Sequence, residues 1–186
     1  INQGFKKFPR IVREISRKLN KKIRLTIRGE HTRISQEMLD AAIPSLLHMI
    51  RNSIDHGIES ADERAAKNKP ESGEITLSAR QKKDRVIIEI IDDGQGLDRE
   101  RIVEKAIKNG LLSRKQLADL AEDEIYNFIF SPGFSTSEQV SDVSGRGVGM
   151  DVVLTEIKKI GGVVSVYSEK NKGCRFELDL PVSLKQ

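Results

Sequence analysis

One helix-length segment, residues 43–57, carries two opposed surfaces, and that pairing restricts the fold more than any other feature of the chain. At about 100° per residue, Ile43, Leu46, Leu47, Ile50 and Ile54 fall on one side, while His48, Asn52, Asp55 and His56 gather on the other. The apolar side demands a core to bury it. The polar side is not an ordinary exterior. Solvated helix faces are written in Lys, Glu and Gln, which are good helix formers, whereas Asn, Asp and His are mediocre formers that suit metals, phosphates or hydrogen-bonded ligands. The segment therefore predicts a helix laid on a core with a binding site along its back.

Two glycine-rich loops lie downstream. Asp92-Asp93-Gly94-Gln95-Gly96 leaves a strongly apolar strand, and Gly145-Arg146-Gly147-Val148-Gly149 opens a helix. A carboxylate ahead of a Gly-x-Gly turn and a glycine turn at a helix N-terminus each receive a nucleotide in a different way. The G-x-G-x-G spacing differs from the G-x-G-x-x-G of dinucleotide folds, which would need glycine where Met150 stands. The ordered set, an Asn-bearing helix, then D-x-G-x-G, then G-x-G-x-G, resembles the ATP-binding fold shared by histidine kinases, gyrase B, Hsp90 and MutL. The wording H-M-I-R-N-S-I-D-H-G-I-E, D-D-G-Q-G-L, S-P-G-F-S-T and V-S-G-R-G-V-G-M-D-V-V is similar to the catalytic domain of CheA-type chemotaxis histidine kinases. The resemblance runs from Phe5-Lys6-Lys7-Phe8-Pro9-Arg10 to Leu180-Pro181.

The resemblance implies roles for particular residues. Asn52 offers a hard oxygen to the Mg²⁺ that bridges the ATP phosphates, and His48, one turn earlier on the same face, is a second metal ligand or an acid/base. Related ATPases carry Glu at that place to activate water, and an imidazole suits a kinase that does not spend ATP on hydrolysis. Asp55 and His56 extend the stripe toward phosphate. Asp92 accepts from the adenine amino group, with Gly94 and Gly96 letting the backbone approach the base and Leu97 beside it; Asp93 is the poorer candidate, since the pattern places the carboxylate first. Arg101 and Lys105, one turn apart, face the phosphates or the solvent. Gly145, Arg146, Gly147, Val148, Gly149 and Met150 form the phosphate-facing helix start, and Ser135 belongs to a lid spanning about residues 131–144. Cys174 departs from the Thr usual at its position.

The pattern of elements gives the fold class. A helix with the stripe Phe8, Ile11, Val12, Ile15 and Leu19 precedes a strand at Ile23, Leu25 and Ile27. A helix begins near Ser35, is interrupted at Pro44 and ends at Gly57, and a short charged helix covers Ala61 to Lys69. Ile75, Leu77 and Ala79 alternate, Gln81 to Asp84 turn, and Val86 to Ile91 read as a central strand. Asp98 caps a helix to Asn109, closed by Gly110; Ile125, Phe128 and Ile129 mark more helix; Ser131 to Ser144 form a loop. A last helix from Met150 to Ile160 leads to a hairpin in which Val164 and Val166 face Phe176, Leu178 and Leu180. The fold expected is α/β in the sense of an α+β two-layer sandwich, with helices on one face of a mixed sheet.

Composition sets the remaining bounds. At 186 residues with 37% hydrophobic content, the chain can bury one core, so residues 1–186 read as a single ATP-binding domain. The first 28 residues hold ten Lys or Arg against Glu14 alone, +9 in a chain of net +4. No aromatic stacking residues accompany that charge, so nucleic acid is not the expected partner and a junction with neighbouring domains is. No apolar run of about 18 residues and no charged-then-apolar leader is present, so membrane insertion is not expected and the location read is cytoplasmic. Cys174, the single cysteine, is read as a small buried hydrophobe.

The resemblance implies a protein-histidine kinase domain of two-component chemotaxis signalling that transfers the γ-phosphoryl of Mg-ATP to a separate histidine phosphotransfer domain. The dimerisation and receptor-coupling domains lie outside this chain. Neither His48 nor His56, read as buried in the nucleotide face, nor His31 reads as the acceptor. Two alternatives are an ATPase of the gyrase or Hsp90 type, which His48 in place of Glu argues against, and a non-catalytic nucleotide-binding module.

Overall fold

Helix α3 (Gln36–Asn52) shows how the chain builds its elements, and it lies within the residues that the computed structural model describes, 1–134 and 149–184. Ser35 closes the helix N-terminus by accepting from the Met38 amide at 3.2 Å. Met38, Leu39, Ala42, Ile43, Leu46, Met49 and Ile50 then form its buried stripe, and full burial of a side chain such as Ile50 stabilises by roughly 1.5–3 kcal/mol. The sequence predicts a break at Pro44, but one helix runs through it. Proline withholds a single bond, the one to the Asp40 carbonyl, and both residues are exposed, so water can serve that carbonyl instead. After Asn52 the helix widens. The Ile58 amide donates to the Ser53 carbonyl at 2.7 Å, five residues back, and Ser53–Gly57 forms a π turn.

Five strands form one mixed sheet: β1 (Ile23–Arg28), β2 (Gly73–Lys82), β3 (Arg85–Asp92), β4 (Val163–Glu169) and β5 (Gly173–Pro181), in the order β1-β2-β3-β5-β4. Only β1 and β2 run parallel. The β2–β3 hairpin pairs as far as Lys82 with Arg85, so its turn is Lys83-Asp84 rather than the four residues expected, with Lys83 at φ +55°. β3 is central, as its apolar run predicts. Val86, Ile88 and Ile90 join Ile75, Leu77, Val164, Val166, Phe176, Leu178 and Leu180 in the core. The opposite face bears ion pairs, Arg175 with Glu89 at 3.3 Å and Arg80 with Glu177 at 3.7 Å, and among them Ile87 is fully buried.

The helical layer comprises α1 (Asn2–Phe5), α2 (Phe8–Lys18), α3, α4 (Ala61–Ala66), α5 (Arg99–Lys108), α6 (Arg114–Leu117), α7 (Glu122–Tyr126), which tightens to a 3₁₀ turn over Asn127–Phe130, and α8 (Met150–Lys159). Leu46, Ile50, Ile102, Ile125, Val153 and Ile157 from these helices complete a single hydrophobic core with the inner face of the sheet. The result is the two-layer α+β sandwich expected. α2 buries Phe8 and Val12 and leaves Arg10, Arg13, Arg17 and Lys18 outside, but Leu19, assigned to its apolar stripe, is 41% exposed because α2 has already ended at Lys18. Asp98 caps α5 by accepting from the Arg101 amide at 3.0 Å, and α8 closes through Gly161 at φ +72°. Among the described residues no helix is long and apolar enough to cross a membrane.

Candidate functional site

His48 and Asn52 lie one turn apart near the end of α3, each half-buried. Asn52 Nδ2 donates to Met150 Sδ, at the first residue of α8, across 3.0 Å. Its amide is thereby oriented, and its carbonyl oxygen accepts from none of the described residues. Burial and the neighbouring Arg51 hold the His48 imidazole below its ordinary pKa of 6.5, against the opposing pull of Asp151 and Asp55. His48 is therefore neutral at neutral pH, with a lone pair available to a proton or a cation.

The π turn sets the direction of the residues within it. Ser53 Oγ donates to Asp92 Oδ2 at 2.8 Å, so the residue after Asn52 reaches the end of β3. His56, placed in the buried nucleotide face by a regular helical count, is exposed instead, because the wider turn breaks that count; its carbonyl accepts from Gln95 Nε2 at 2.7 Å. Asp55 stays half-buried, near enough to His48 to influence it.

Asp92 is buried, at 3% exposure. Besides Ser53 it accepts at Oδ1 from the Gly94 amide at 3.0 Å and the Cys174 amide at 3.3 Å. A carboxylate has about four acceptor sites, which leaves room for one further donor. Burial raises its pKa above 3.8 despite those three bonds. The glycines around it are needed by the protein's own backbone. A Cβ on Gly94 would lie 2.2 Å from the Gly57 carbonyl oxygen, and Gly96, at φ +75°, would place one 2.5 Å from the Glu169 carbonyl oxygen. The close approach that the sequence assigned to the base is thus made first between the loop, the π turn and β4. Leu97 comes next, with its amide bonded to Ser168 Oγ at 2.7 Å.

Asp93 faces the other way, as alternation along a strand requires. It accepts from Arg64 Nη2 at 2.7 Å and Nη1 at 3.2 Å, and from the Glu74 amide at 2.8 Å. Arg64 is 0% exposed and also reaches Glu59 at 3.2 Å and the Pro70 carbonyl at 2.6 Å. Lys69 donates to Glu59 at 2.9 Å and to the carbonyls of Asp93 and Gly94 at 2.8 and 2.6 Å. Burial pushes the Glu59 carboxyl up, but bonds from Lys69, its own backbone and Lys67 outweigh it and hold the group below the ordinary range. Sequence reasoning gives this segment only as a short charged helix. The Ser60–Glu63 capping box fixes where α4 starts and so which face Arg64 occupies, but not that this face turns inward. Sequence reasoning misses Lys21 in the same way. Its ammonium donates to the carbonyls of Ile54, Asp55 and Ile58 at 2.7, 3.0 and 2.7 Å, closing the end of α3 and its π turn.

The remaining candidates divide. Lys105 is half-buried with its ammonium 5.9 Å from the ring centre of Phe134, whereas Arg101 is exposed beside Asp98 at 3.9 Å. Gly149 is the N-cap of α8 and contributes no side-chain cap; within the first turn of that ten-residue helix the Val152 amide donates to Asp151 Oδ1 at 3.0 Å. Ser135, Gly145, Arg146, Gly147 and Val148, with most of the lid segment, lie outside the described residues. Cys174 is buried with its thiol pushed up to about 12 by burial and by Asp92; its amide, not its sulfur, serves the site.

The model of the family described as histidine kinase-, DNA gyrase B- and HSP90-like ATPase matches residues 41–184. Chemotaxis protein CheA of Bacillus subtilis is 47% identical over 180 residues, 97% of this chain and 27% of that protein. Sensor histidine kinase CheAY of Helicobacter pylori is 46% identical over 184 residues, 99% of this chain and 23% of that protein. The chain thus spans about a quarter of the length of these curated relatives. Among solved structures, the histidine kinase domain of a blue-light activated kinase from Erythrobacter litoralis superposes with a TM-score of 0.54 at 13% identity, covering 94% of this chain and 58% of that one. The catalytic domain of histidine kinase ThkA gives 0.51 at 18% identity, covering 94% and 92%. At such identities the structures speak for the fold.

Proposed function

The chain belongs to the family of histidine kinase-, DNA gyrase B- and HSP90-like ATPases, and on that premise we propose that it is the ATP-binding catalytic domain of a chemotaxis protein-histidine kinase. The reaction is transfer of the γ-phosphoryl group of Mg-ATP to a histidine on a separate phosphotransfer domain. One observation carries the reading. Adjacent residues at the end of α3 reach two different walls of one site, Asn52 the first residue of α8 and Ser53 the buried carboxylate of Asp92. A single turn therefore fixes a phosphate-facing amide against a base-facing acceptor. The identity of 46–47% over nearly the whole chain with CheA and CheAY proteins supports the kinase over other members of the family.

Each residue has a task on this reading. Asp92 spends its remaining acceptor capacity on the adenine amino group. The Gly149–Met150 entry to α8 is the phosphate-facing turn. Among the described residues no cluster of His, Cys, Asp and Glu forms a metal cage, which fits a magnesium ion carried largely by the nucleotide's own oxygens and water. Asn52 is the residue that would hold it, since its carbonyl is a better match for a hard cation than the His48 imidazole, whose lone pair is then free for a proton. When bound, the ion neutralises charge on the phosphates. As the acceptor's unprotonated ring nitrogen bonds to the γ-phosphorus and the bond to the ADP oxygen breaks, the acceptor's other ring nitrogen sheds its proton, for which neutral His48 is the candidate base. On this reading the domain works in the cytoplasm beside dimerisation and receptor-coupling domains of the same kinase.

The test is to supply γ-labelled ATP and Mg²⁺ to this chain with and without a CheA-type histidine phosphotransfer domain. Label on that domain's histidine is the outcome expected. Label released as inorganic phosphate regardless of the acceptor would make the chain an ATPase, and binding with no turnover would make it a regulatory module.

A further inference from the structure

The cations behind the Asp92–Gly96 loop have no part in the phosphoryl transfer itself, yet they hold more of that loop than any other group. Arg64 is wholly enclosed and grips Asp93 with both ends of its guanidinium. Lys69, with a side chain 15% exposed, lies on the two peptide carbonyls that come after Asp92, those of Asp93 and Gly94. The amide of the same Gly94 is one of the three donors to Asp92. On the other side, the loop closes against the π turn, with the Gln95 amide on the Gly57 carbonyl at 2.9 Å. Glu59 keeps both cations in place, bonded to Arg64 at 3.2 Å and Lys69 at 2.9 Å. Lys67 also reaches Glu59, at 3.1 Å, and among the described residues that carboxylate is the partner of its ammonium.

We propose that Lys69, held by Glu59 beside Arg64, is a positioning residue for base recognition: it fixes the Asp93 and Gly94 peptides, and through them the direction in which the Asp92 carboxylate faces the base. This rests on the reading of Asp92 as the acceptor for adenine. The physical argument is one of stiffness. Asp92 has a single remaining acceptor direction, and its usefulness depends on the peptide after it staying still. A glycine stands next but one, with no side chain to anchor that peptide. Lys69 supplies the anchor from outside, on carbonyls that β-strand pairing no longer serves. An ammonium is suited to this, since its three donors match the three oxygens it meets, from Glu59, Asp93 and Gly94.

Its consequence is separable from stability. Lys69→Met removes the three bonds and keeps the apolar stem, while Glu59 retains Arg64 and Lys67. Lys67→Met is the control, because it weakens the same carboxylate without touching the loop. Affinities for Mg-ATP and Mg-GTP are measured by calorimetry on wild type, Lys69→Met, Lys67→Met, Asp92→Asn and the double variant Lys69→Met/Asp92→Asn, with urea unfolding run on each.

Lys69→Met should lower the ATP to GTP affinity ratio by about three- to tenfold, the equivalent of one hydrogen bond, and Lys67→Met should leave the ratio at the wild-type value whatever it costs in stability. In the double variant the ratio should equal that of Asp92→Asn alone, because Lys69 then has no carboxylate to act through. A wild type that prefers neither nucleotide overturns the adenine reading and the proposal with it. A discriminating wild type whose ratio is unmoved by Lys69→Met, moved equally by Lys67→Met, or lowered additively in the double variant overturns the positioning role alone.

Discussion

Ser53 Oγ donates to Asp92 Oδ2 across 2.8 Å, joining the end of helix α3 to the end of strand β3 inside the site. The bond exists because the helix widens at Ser53, and it makes the serine answerable for the state of the carboxylate. Ser53→Ala should raise the Asp92 pKa further, since one of the three bonds that resist the effect of burial is lost. ATP affinity should then fall by about 0.5–1.5 kcal/mol, the net scale of one ordinary hydrogen bond, and fall more at acid pH. Calorimetry at two pH values checks it; an affinity equal to wild type at both would remove Ser53 from the site.

Asp92→Asn separates function from stability. The pocket can accept the amide, with Oδ1 still taking the Gly94 and Cys174 amides and Nδ2 donating to Ser53 Oγ. Because burial holds the folded pKa above 3.8, the carboxyl is a destabilising group once ionised: the penalty is absent below 3.8, grows as pH rises through the folded value, and is full at neutral pH. Asparagine has no such penalty. The variant should be at least as stable as wild type at pH 7 without nucleotide while binding ATP about 1.5–3 kcal/mol more weakly. A large fall in melting temperature would mean that the ionised carboxylate is a structural asset, which would contradict the destabilising effect of its burial.

The apolar stripe of α3, the central position of β3 and the caps at Ser35, Asp98 and Gly161 are legible in the sequence because each arises from local periodicity or backbone conformation. The sequence marks Asp92 over Asp93 for the site, and the structure gives Asp93 a different employer in Arg64. Three things are not legible. The π turn at Ser53 has no periodic signature, so a regular helical count does not show that His56 stands exposed. Lys21 and Lys69 act on backbone carbonyls distant in sequence, and a lysine among charged neighbours reads as solvent-facing until the fold is closed. Arg64 is the sharpest case, since a fully buried arginine is rare and its sequence surroundings are those of an exposed helix.

Arg64→Met should be among the most damaging single changes outside the hydrophobic core. It leaves Glu59 buried with only lysine partners and strips the Asp93 carboxylate of both its guanidinium bonds. Breaking a buried pair from one side costs about 3–5 kcal/mol, whereas Arg10→Met, which breaks an exposed pair with Glu14, should cost less than about 1 kcal/mol. Urea denaturation of the two variants measures the contrast, and similar midpoints for both would show that water reaches the Arg64 network.

Asn52→Asp keeps an oxygen for a cation but adds negative charge beside three phosphates and replaces the amide that donates to Met150. Phosphotransfer should collapse by more than nucleotide affinity does, because the metal's task is largest when charge redistributes in the transition state. Equal losses in a calorimetric and a transfer assay would count against that role.

The pH dependence of transfer should report His48. Burial and Arg51 lower its pKa, while Asp151 and Asp55 raise it, and the net is a value below 6.5. The neutral, proton-accepting form then persists into mildly acid solution, so the acid limb of the rate should lie below the ordinary imidazole value rather than at it. Stability has the same sign. The folded chain holds this proton less tightly than the unfolded one, so the contribution is complete above pH 6.5 and is lost as pH falls from there through the lowered folded value. His48→Gln should abolish that part of both profiles, leaving any limb due to Asp92. Asp151→Asn removes an influence that raises the pKa, and it should move the acid limb of transfer further down. A limb that moves up, or stays fixed in Asp151→Asn while His48→Gln erases it, would falsify the assignment of Asp151 as the group facing His48 across the start of α8.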